Sequence, residues 1–365
     1  MQTTDVLIVR LDAIGDFLIS SGSSVHLAAH WHAQGRRVAI IVNAACVELA
    51  QNLGVFDEVW ALDRSRFHSD LAYRMALMRR LHSAGFEIAI QPTISRDLLF
   101  GDSVVRLAGY EKRIGSSGDL TNRSQLSRYI GDPWYTDLIS VSPAEMTELE
   151  YNAEFLRGLG ITSELKIHRI EIPDQDDTPK KFEEYFVLFP GASWDGKCWP
   201  PESFAGLAQR IVQATGWECV IAGGPGDHEA ANAVRAAATI PIDNWVGRTT
   251  LLGLAALFRD ARLVISNDTS AVHMAAAVQT PSFCILGGGH FGRFLPYPEG
   301  AVAPIARPQI IHYPMDCFKC DWRCKFSREV GEAVLCIRSI TVDQAWLSVG
   351  SFIQNLGNSE ALISD

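Results

Sequence analysis

The stretch that decides the fold is residues 6–16, which read VLIVRLDAIGD. The apolar, β-branched run at 6–11 is typical of a buried strand, and the loop at 12–15 leads into a helix predicted from about Asp16. We expect Gly15 to take the positive φ that a tight strand-to-helix turn needs. A strand joined to a helix by so short a loop predicts the first part of a βαβ unit.

The same alternation runs through the first half of the chain. Apolar strand patterns recur at residues 38–42, 58–62 and 87–91, with helical patterns between them. Strands that alternate with helices predict a parallel sheet covered by helices on both faces.

A polar, proline-punctuated segment at residues 171–184 separates this half from a second alternating run. The elements predicted in that run are strands at 186–189, 218–222, 263–266 and 282–286 and helices at 201–215, 227–238 and 270–278. The predicted fold class is α/β, with doubly wound domains at 1–175 and 176–340 and an amphipathic helix within 341–365. Because ligands of open parallel sheets bind at the carboxyl ends of the strands, we expect a ligand-binding cleft between the domains.

The composition fits two globular domains and argues against several classes of protein. The 365 residues are 47% hydrophobic and 20% charged. No run of about 18 apolar residues predicts a membrane-spanning helix. The first residues lack the basic start and apolar run of a signal peptide, so we expect a cytoplasmic protein. A net charge of −10 argues against a nucleic-acid partner.

Positive charge is concentrated in one part of this acidic chain. Residues 64–128 hold ten Arg and one Lys against six acids, a local net charge of +5 (11 − 6). Such an excess predicts attraction of an anionic substrate, or it reflects ordinary Arg usage on a solvated helical face.

Asp16 stands at the start of the first predicted helix, where the helix dipole favours the ionised carboxylate. An ionised carboxylate at the lip of a cleft can accept a proton from a hydroxyl group, which is general-base chemistry. The alternative is that Asp16 is an N-cap and does no chemistry. The strand is not followed by G-x-G-x-x-G, so a dinucleotide fingerprint is not supported.

A glycine-rich turn follows the first strand of the second domain, in residues 189–200, FPGASWDGKCWP. Backbone N–H groups, the hydroxyl of Ser193 and the ammonium of Lys197 together suit a diphosphate. The alternative is an ordinary loop with a surface lysine.

A third strand-to-helix junction lies in residues 265–277, ISNDTSAVHMAAA. Helix N–H groups at Thr269, Ser270 and Ala271 would form an anion site, and small side chains there let a phosphate approach the backbone. His273 falls one turn into the helix and could face the same site. Taken alone, Asp268 is a helix cap and His273 a satisfied core histidine.

Together, in this order and each at a strand-to-helix junction, the three segments resemble glycosyltransferase family 9, the ADP-heptose:lipopolysaccharide heptosyltransferases. The resemblance covers residues 6–287 and is strongest at 6–16, 187–204 and 263–287. It implies a GT-B fold with two Rossmann-like domains and an interdomain cleft. The first domain would bind the acceptor and the second the nucleotide sugar, and the terminal helix would pack back toward the first domain.

The resemblance also implies roles for individual residues. Asp16 matches the proposed catalytic base, and Lys197 matches the lysine that contacts the nucleotide diphosphate, with Ser193 in the same loop. The remaining matches are Thr269 and Ser270 for phosphate, Asp268 and His273 in support of them, Asp227 near the nucleotide ribose, and Arg96 on the acceptor side.

The reaction that the resemblance implies is an inverting, metal-independent transfer of a sugar, heptose in the family, from an ADP-sugar. The acceptor would be an anionic cell-surface glycan or a lipid-linked acceptor, with peripheral contact at the inner membrane face. The alternatives are a GT-B enzyme that uses a UDP-sugar, an epimerase, and a non-catalytic GT-B scaffold that binds a nucleotide sugar or a partner protein.

Three positions depart from the family pattern. Residues 17–22 read FLISSG where the family usually has a Leu-Pro pair. Ser270 stands where Gly is common, and Asp227 stands where Glu is common. The resemblance therefore implies the use of a sugar nucleotide, whereas the identity of the sugar is carried over from the family alone.

The eight cysteines fall into two groups. Cys317, Cys320, Cys324 and Cys336 follow the spacing C-x2-C-x3-C-x11-C, which favours a structural zinc site. An iron–sulfur cluster, metal-free thiols or a disulfide pair are the alternatives. The scattered cysteines, expected in the cores, are Cys46, Cys198, Cys219 and Cys284. The acids Asp174 and Asp176 form a D-x-D pattern within the linker, where we interpret them as solvated.

Overall fold

The computed structural model describes residues 5–141, 145–162, 164–172 and 183–361, with the backbone alone described for 357–361. The chain divides into two compact units between Glu171 and Ile172. The sequence placed this boundary four residues later, at 175. Most of the predicted linker, with Asp174 and Asp176, lies outside the described residues.

The first unit is built on a parallel sheet in which six strands of the described chain follow the order β3-β2-β1-β4-β5-β6. Ile8 of the central strand β1 pairs with Ile40 on one side and Ile90 on the other. All five residues of β1 are buried, as expected for a strand covered on both faces. The strands are β1 Val6–Arg10, β2 Val38–Asn43, β3 Glu58–Leu62, β4 Ile88–Gln91, β5 Lys112–Ser116 and β6 Asp137–Ile139.

Helices connect these strands, and the first of them is crossed closely by a later segment of the same unit. Its segment FLISSG is buried, and a Cβ on Gly22 would lie 1.9 Å from the carbonyl oxygen of Lys166. Small residues are needed here because the backbone of 166–168 crosses the helix, and Ser21 Oγ accepts from His168 N–H. The helices are α1 Ile14–His32, α2 Val47–Asn52, α3 Arg64–Ser69, α4 Leu71–Ala84, α5 Ser103–Ala108, α6 Gln125–Gly131 and α7 Glu148–Gly158.

The second unit has the same kind of sheet, with six strands of the described chain in the order β12-β11-β10-β7-β8-β9. Val187 of the buried strand β7 pairs with Val264 on one side and Val220 on the other. The strands are β7 Tyr185–Phe189, β8 Glu218–Ile221, β9 Ile242–Asn244, β10 Val264–Asn267, β11 Ser282–Ile285 and β12 Gln309–Ile311.

The C-terminal helix belongs to this second unit. It packs against α8 and β12 and buries Ala345 and Val349 in the core of the unit. That this helix also packs back toward the first domain stays a prediction. The helices are α8 Pro201–Thr215, α9 His228–Ala237, α10 Leu251–Arg259, α11 Ser270–Ala277, α12 Leu335–Arg338 and α13 Val342–Ala361.

The predicted α/β fold class is confirmed, and every strand predicted from an apolar run is present within one or two residues. Four strands were missed. β5 reads KRIGS, and β6, β9 and β12 have three residues each at sheet edges, so none of them shows an apolar run. Within the described residues, no helix is both long and apolar enough to cross a membrane.

In each sheet the chain reverses its direction of winding at one point. The reversal falls between β1 and β4 in the first unit and between β7 and β10 in the second. Loops at the carboxyl ends of such neighbouring strands diverge and leave a crevice, where open parallel sheets bind ligands. Each unit therefore has a position at which a site is expected.

Candidate active site

A cavity of about 290 Å³ lies at the carboxyl ends of β1 and β4, the switch point of the first sheet. Its lining residues are mostly polar: Leu11, Asp12, Ala13, Asp16, Asn43, Arg64, Gln91, Thr93, Ser95, Asp97, Gly101 and Asn122. Many side chains that can bond hydroxyl groups thus surround one space.

Asp16 lines this cavity from the first turn of α1. The helix begins at Ile14 and its N-cap is Ala13, so Asp16 is not the cap. Gly15 lies inside the helix and is not among the positive-φ glycines, which corrects the prediction of a left-handed turn at this residue. The carboxylate of Asp16 therefore lies at the positive end of the helix dipole, which favours its ionised form.

Asp12 is held on the cavity wall by a buried arginine. Arg10, only 2% exposed, is the last residue of β1, and its Nη1 lies 3.3 Å from Asp12 Oδ2. The other end of the Arg10 guanidinium donates to Asn152 Oδ1, and Thr93 Oγ1 lies 3.3 Å from Asp12 Oδ1. Fixed on both sides, Asp12 is suited to orienting a ligand.

Asp97 and Arg64 also line this cavity and contact each other. Arg64 Nη2 lies 3.5 Å from Asp97 Oδ2, and the guanidinium also lies 4.2 Å from the ring centroid of Phe100. Burial raises the pKa of Asp97, and the nearby charge of Asp12 raises it further, although Arg64 opposes the shift. The sequence analysis did not predict Asp12, Arg64 and Asp97 as site residues. Their place in the site follows only from the strand order, which puts the cavity at the carboxyl ends of β1 and β4.

Arg96, predicted as an acceptor contact, is completely buried and faces away from solvent. Its Nη1 donates to the carbonyl of Ser116 at 2.8 Å, its Nη2 bonds Asp132, and its Nε lies 3.4 Å from Asp102. The guanidinium also stacks on Tyr135. These contacts make Arg96 a structural residue and do not fit the prediction that it touches an acceptor.

Much of the positive charge in residues 64–128 is likewise matched inside the unit. Arg123 is fully buried and bonds Asp132 at 2.8 Å. Arg80 lies over Trp60 at 3.9 Å, and Arg106 over Trp134 at 4.5 Å. The local excess of arginine therefore serves ion pairs and ring contacts to a large extent.

In the second unit, the loops after β7 and β10 are joined by Asn267. Its Oδ1 accepts from Trp199 N–H at 3.0 Å, and its Nδ2 donates to the carbonyl of Pro190 at 2.6 Å. These buried bonds fix the loop that carries Ser193 and Lys197 beside the strand end that carries Asp268.

Lys197 and Asp268 meet across this switch point. Lys197 Nζ lies 3.3 Å from Asp268 Oδ2, and the two side chains are only 14% and 7% exposed. Two motifs found 71 residues apart in the sequence therefore meet at one place. A lysine held at this depth provides a localised positive charge for an anionic ligand.

The helix that follows Asp268 begins at Ser270, and Thr269 is its N-cap. Thr269 Oγ1 accepts from Ala271 N–H at 3.3 Å, so Thr269, rather than Asp268, caps the helix. Because this bond occupies Ala271 N–H, the anion site predicted there reduces to the N–H groups of Thr269 and Ser270.

His273 is a buried, neutral histidine. It bonds the hydroxyl of Tyr297, and burial lowers its pKa to about 4, with Lys197 lowering it further and Asp268 opposing. This is the satisfied core histidine that was the simpler alternative.

Asp227 contacts the same loop from the end of β8. Its carboxylate accepts from Gly224 N–H at 2.7 Å and covers Gly191, where a Cβ would lie 2.1 Å from Asp227 Oδ1. Burial raises its pKa. Asp227 and Gly191 also line a second cavity of about 640 Å³, whereas Ser193 is exposed on the loop.

The four clustered cysteines line one small cavity, together with Trp322 and Phe326. Cys336 Sγ accepts from Gly288 N–H at 3.4 Å. Burial raises the pKa of Cys336, and the nearness of Cys317, Cys320 and Cys324 raises it further. Among the described residues, no group of three or more His, Cys, Asp or Glu side chains is arranged to hold a metal ion. The thiols converge, but their atoms are not in a coordinating arrangement.

Two parallel sheets in succession, each with a polar site at its switch point, define a protein of the GT-B fold class. Residues 74–310, more than half of the chain, match glycosyltransferase family 9 (heptosyltransferase), and the chain belongs to this family. The matched range contains Lys197 and Asp268 but begins after Asp16.

Known proteins of this kind resemble the chain in part of the sequence and in the whole fold. Lipopolysaccharide heptosyltransferase 3 of Escherichia coli is 29% identical over 150 residues, 38% of this chain and 44% of that protein. The match thus spans less than half of that relative.

Solved structures extend the likeness in fold. The ADP-heptose lipopolysaccharide heptosyltransferase II of E. coli has a TM-score of 0.70 at 17% identity, with 97% of this chain and 99% of that chain covered. The iron-containing dodecameric glycosyltransferase TibC of enterotoxigenic E. coli has a TM-score of 0.58 at 13% identity, with 98% and 78% covered.

Proposed function

We propose that this protein transfers a sugar from a nucleoside diphosphate to a hydroxyl group, with inversion at the anomeric carbon. Family membership supports the reaction class. The observation that carries the proposal is the pair Lys197–Asp268 at the switch point of the second sheet, inside the matched range.

The second unit is the proposed donor-binding half. The ammonium of Lys197 and the N–H groups of Thr269 and Ser270 suit the two phosphates. Asp227 is placed to accept a hydrogen bond from a ribose hydroxyl beside the cavity that it lines. ADP-heptose is the first donor to test because the E. coli structural neighbour is an ADP-heptose heptosyltransferase.

The first unit is the proposed acceptor-binding half, with Asp16 as the general base. Asp16 accepts the proton of the acceptor hydroxyl as its oxygen forms a bond to the anomeric carbon. The bond from that carbon to the diphosphate oxygen breaks, and the electron pair leaves with the nucleoside diphosphate. Lys197 and the helix N–H groups stabilise that developing charge.

The charged residues that line the cavity of the first unit indicate the charge of the acceptor group that it can bind. Three carboxylates, Asp12, Asp16 and Asp97, line it with one arginine, Arg64, which is itself paired with Asp97. An anionic acceptor group would be repelled at close range. The lining therefore favours an uncharged, hydroxyl-bearing group at the reacting end over the anionic group that the Arg-rich stretch indicated.

The test is a transfer assay with purified protein, in which ADP-, UDP- and GDP-sugars are each combined with neutral and with anionic hydroxyl acceptors. We expect mass spectrometry to detect transfer from the ADP-sugar to a neutral acceptor group. Transfer from UDP-sugars alone would favour the UDP alternative. Donor binding without transfer to any acceptor would favour the non-catalytic scaffold.

A second proposal concerns Cys317, Cys320, Cys324 and Cys336. Four soft ligands line one small cavity, and a backbone N–H is directed at one sulfur; binding of a single structural metal ion that does no chemistry would bring them into a coordinating arrangement. Zinc is the ion that the spacing favours. Iron is the second candidate because TibC is an iron-containing glycosyltransferase.

Metal analysis of protein purified without chelators tests this second proposal. We expect about one zinc or iron ion per chain, the content of a four-cysteine site that holds a single ion, whereas several iron ions per chain would indicate an iron–sulfur cluster. Cys324→Ser should reduce the bound metal severely, whereas Cys219→Ala, at a buried cysteine elsewhere in the core, should not. Absence of stoichiometric metal from the wild-type protein would refute the site.

A further inference from the structure

The cysteine-bearing loop is docked on the glycine run that follows β11. Lys319 N–H and Asp321 N–H donate to the carbonyls of Gly288 and Gly289, at 2.6 and 3.0 Å. A Cβ on Gly289 would lie 2.3 Å from Trp322 Cδ2, so the glycine run leaves room for the rings of this loop. The loop is therefore packed directly against the glycine run.

The backbone of this loop is held in an uncommon conformation. Lys319, Asp321 and Trp322 have φ values of 66°, 51° and 56°, in the left-handed region that side chains other than Gly rarely adopt. Such residues persist where surrounding contacts determine the backbone. The contacts with the glycine run therefore fix the position from which the Trp322 side chain extends.

Trp322 reaches the proposed donor-binding residues. Its ring centroid lies 4.7 Å from Lys197 Nζ and 5.8 Å from the ring of Trp194, at an interplanar angle of 87°. Its Nε1–H donates to His290 Nδ1 at 3.3 Å, which fixes the rotation of the indole. Trp322, which lies between Cys320 and Cys324 in the sequence, thus contacts the ammonium of Lys197 with its ring.

We propose that Trp322 is a positioning residue for donor binding: its indole face holds the Lys197 ammonium at the switch point of the second sheet. Asp268 attracts the same ammonium by charge, but an aromatic face holds a cation without the negative charge that would repel a phosphate. The inference rests on the proposed donor function.

The affinity test compares ADP binding by calorimetry in wild type, Trp322→Leu and Trp322→Phe. We expect Trp322→Leu to weaken ADP binding about 3- to 30-fold and Trp322→Phe, which keeps an aromatic face, to recover most of the loss. Phe326→Leu is the matched control, because Phe326 lines the cysteine cavity and no described contact joins it to Lys197. Its effect should remain below about twofold.

The double variant separates positioning from general damage to the fold. In a Lys197→Met background, Trp322→Leu should weaken ADP binding by less than about twofold further, because the contact that it removes is already gone. An equal loss in both backgrounds, or none in either, would overturn the proposal.

A second measurement needs no donor. In NMR spectra of protein with isotopically labelled lysine, the ε-methylene signal that Lys197→Met removes should be shifted upfield by the Trp322 ring and should move downfield in Trp322→Leu. A signal without that ring shift would overturn the positioning. If the ring shift is present but ADP does not bind, the positioning stands and the proposed donor function fails.

Discussion

Asp16→Asn should lower the rate of sugar transfer about 100- to 10,000-fold, the usual contribution of a general base. The amide keeps the size and position of the side chain but cannot accept the hydroxyl proton. Since Asp16 belongs to the first unit and the proposed diphosphate contacts to the second, ADP affinity should stay within about threefold of wild type. The measurements are kcat at saturating donor and the dissociation constant of ADP.

Asp12→Asn is the matched control, because Asp12 lines the same cavity and is paired with Arg10. Asp12 is held in place by Arg10, and we expect it to orient the acceptor rather than to take its proton. This variant should therefore raise KM for the acceptor more than it lowers kcat. If Asp12→Asn loses turnover and Asp16→Asn keeps it, the base has been assigned to the wrong carboxylate.

Arg96→Leu should destabilise the first unit by about 3–5 kcal/mol, because it leaves a buried carboxylate without its cation. Arg96 and Asp102 are both fully buried, and burial already raises the pKa of Asp102 against the opposing charge of Arg96. Urea unfolding followed by a probe in the first unit measures the change.

Arg66→Leu is the comparison variant, since Arg66 makes an exposed pair with Asp70 four residues away, and it should change stability very little. Should Arg96→Leu leave stability intact and weaken acceptor binding instead, the sequence-based assignment of Arg96 to the acceptor site would be right and the structural role wrong.

Local sequence pattern predicted the parallel sheets because their central strands are buried on both faces and read as apolar runs. Val187–Phe189 and Val264–Ile265 need no partner to be recognised. By contrast, the packing of α13 into the core of the second unit could not be predicted, since an amphipathic pattern shows which face is buried but not which core receives it.

The site was predictable where a motif follows a strand, and not where side chains meet from distant segments. Lys197 and Asp268 were each found from their own motif, although their 3.3 Å contact was not. Arg96 sits beside Asp97, which lines the cavity, yet its own side chain turns inward to Asp102 and Asp132. Trp322 could not be predicted, because nothing in the sequence indicates that its ring meets Lys197, 125 residues earlier in the chain.

Calorimetric titration of ADP into the wild-type protein and into Lys197→Met tests the central claim most directly. The account predicts that ADP binds the wild type, and that loss of the ammonium weakens binding about 10- to 100-fold, the usual worth of a hydrogen bond to a charged group. No binding of any nucleoside diphosphate at millimolar concentration, or equal binding by both proteins, would contradict it.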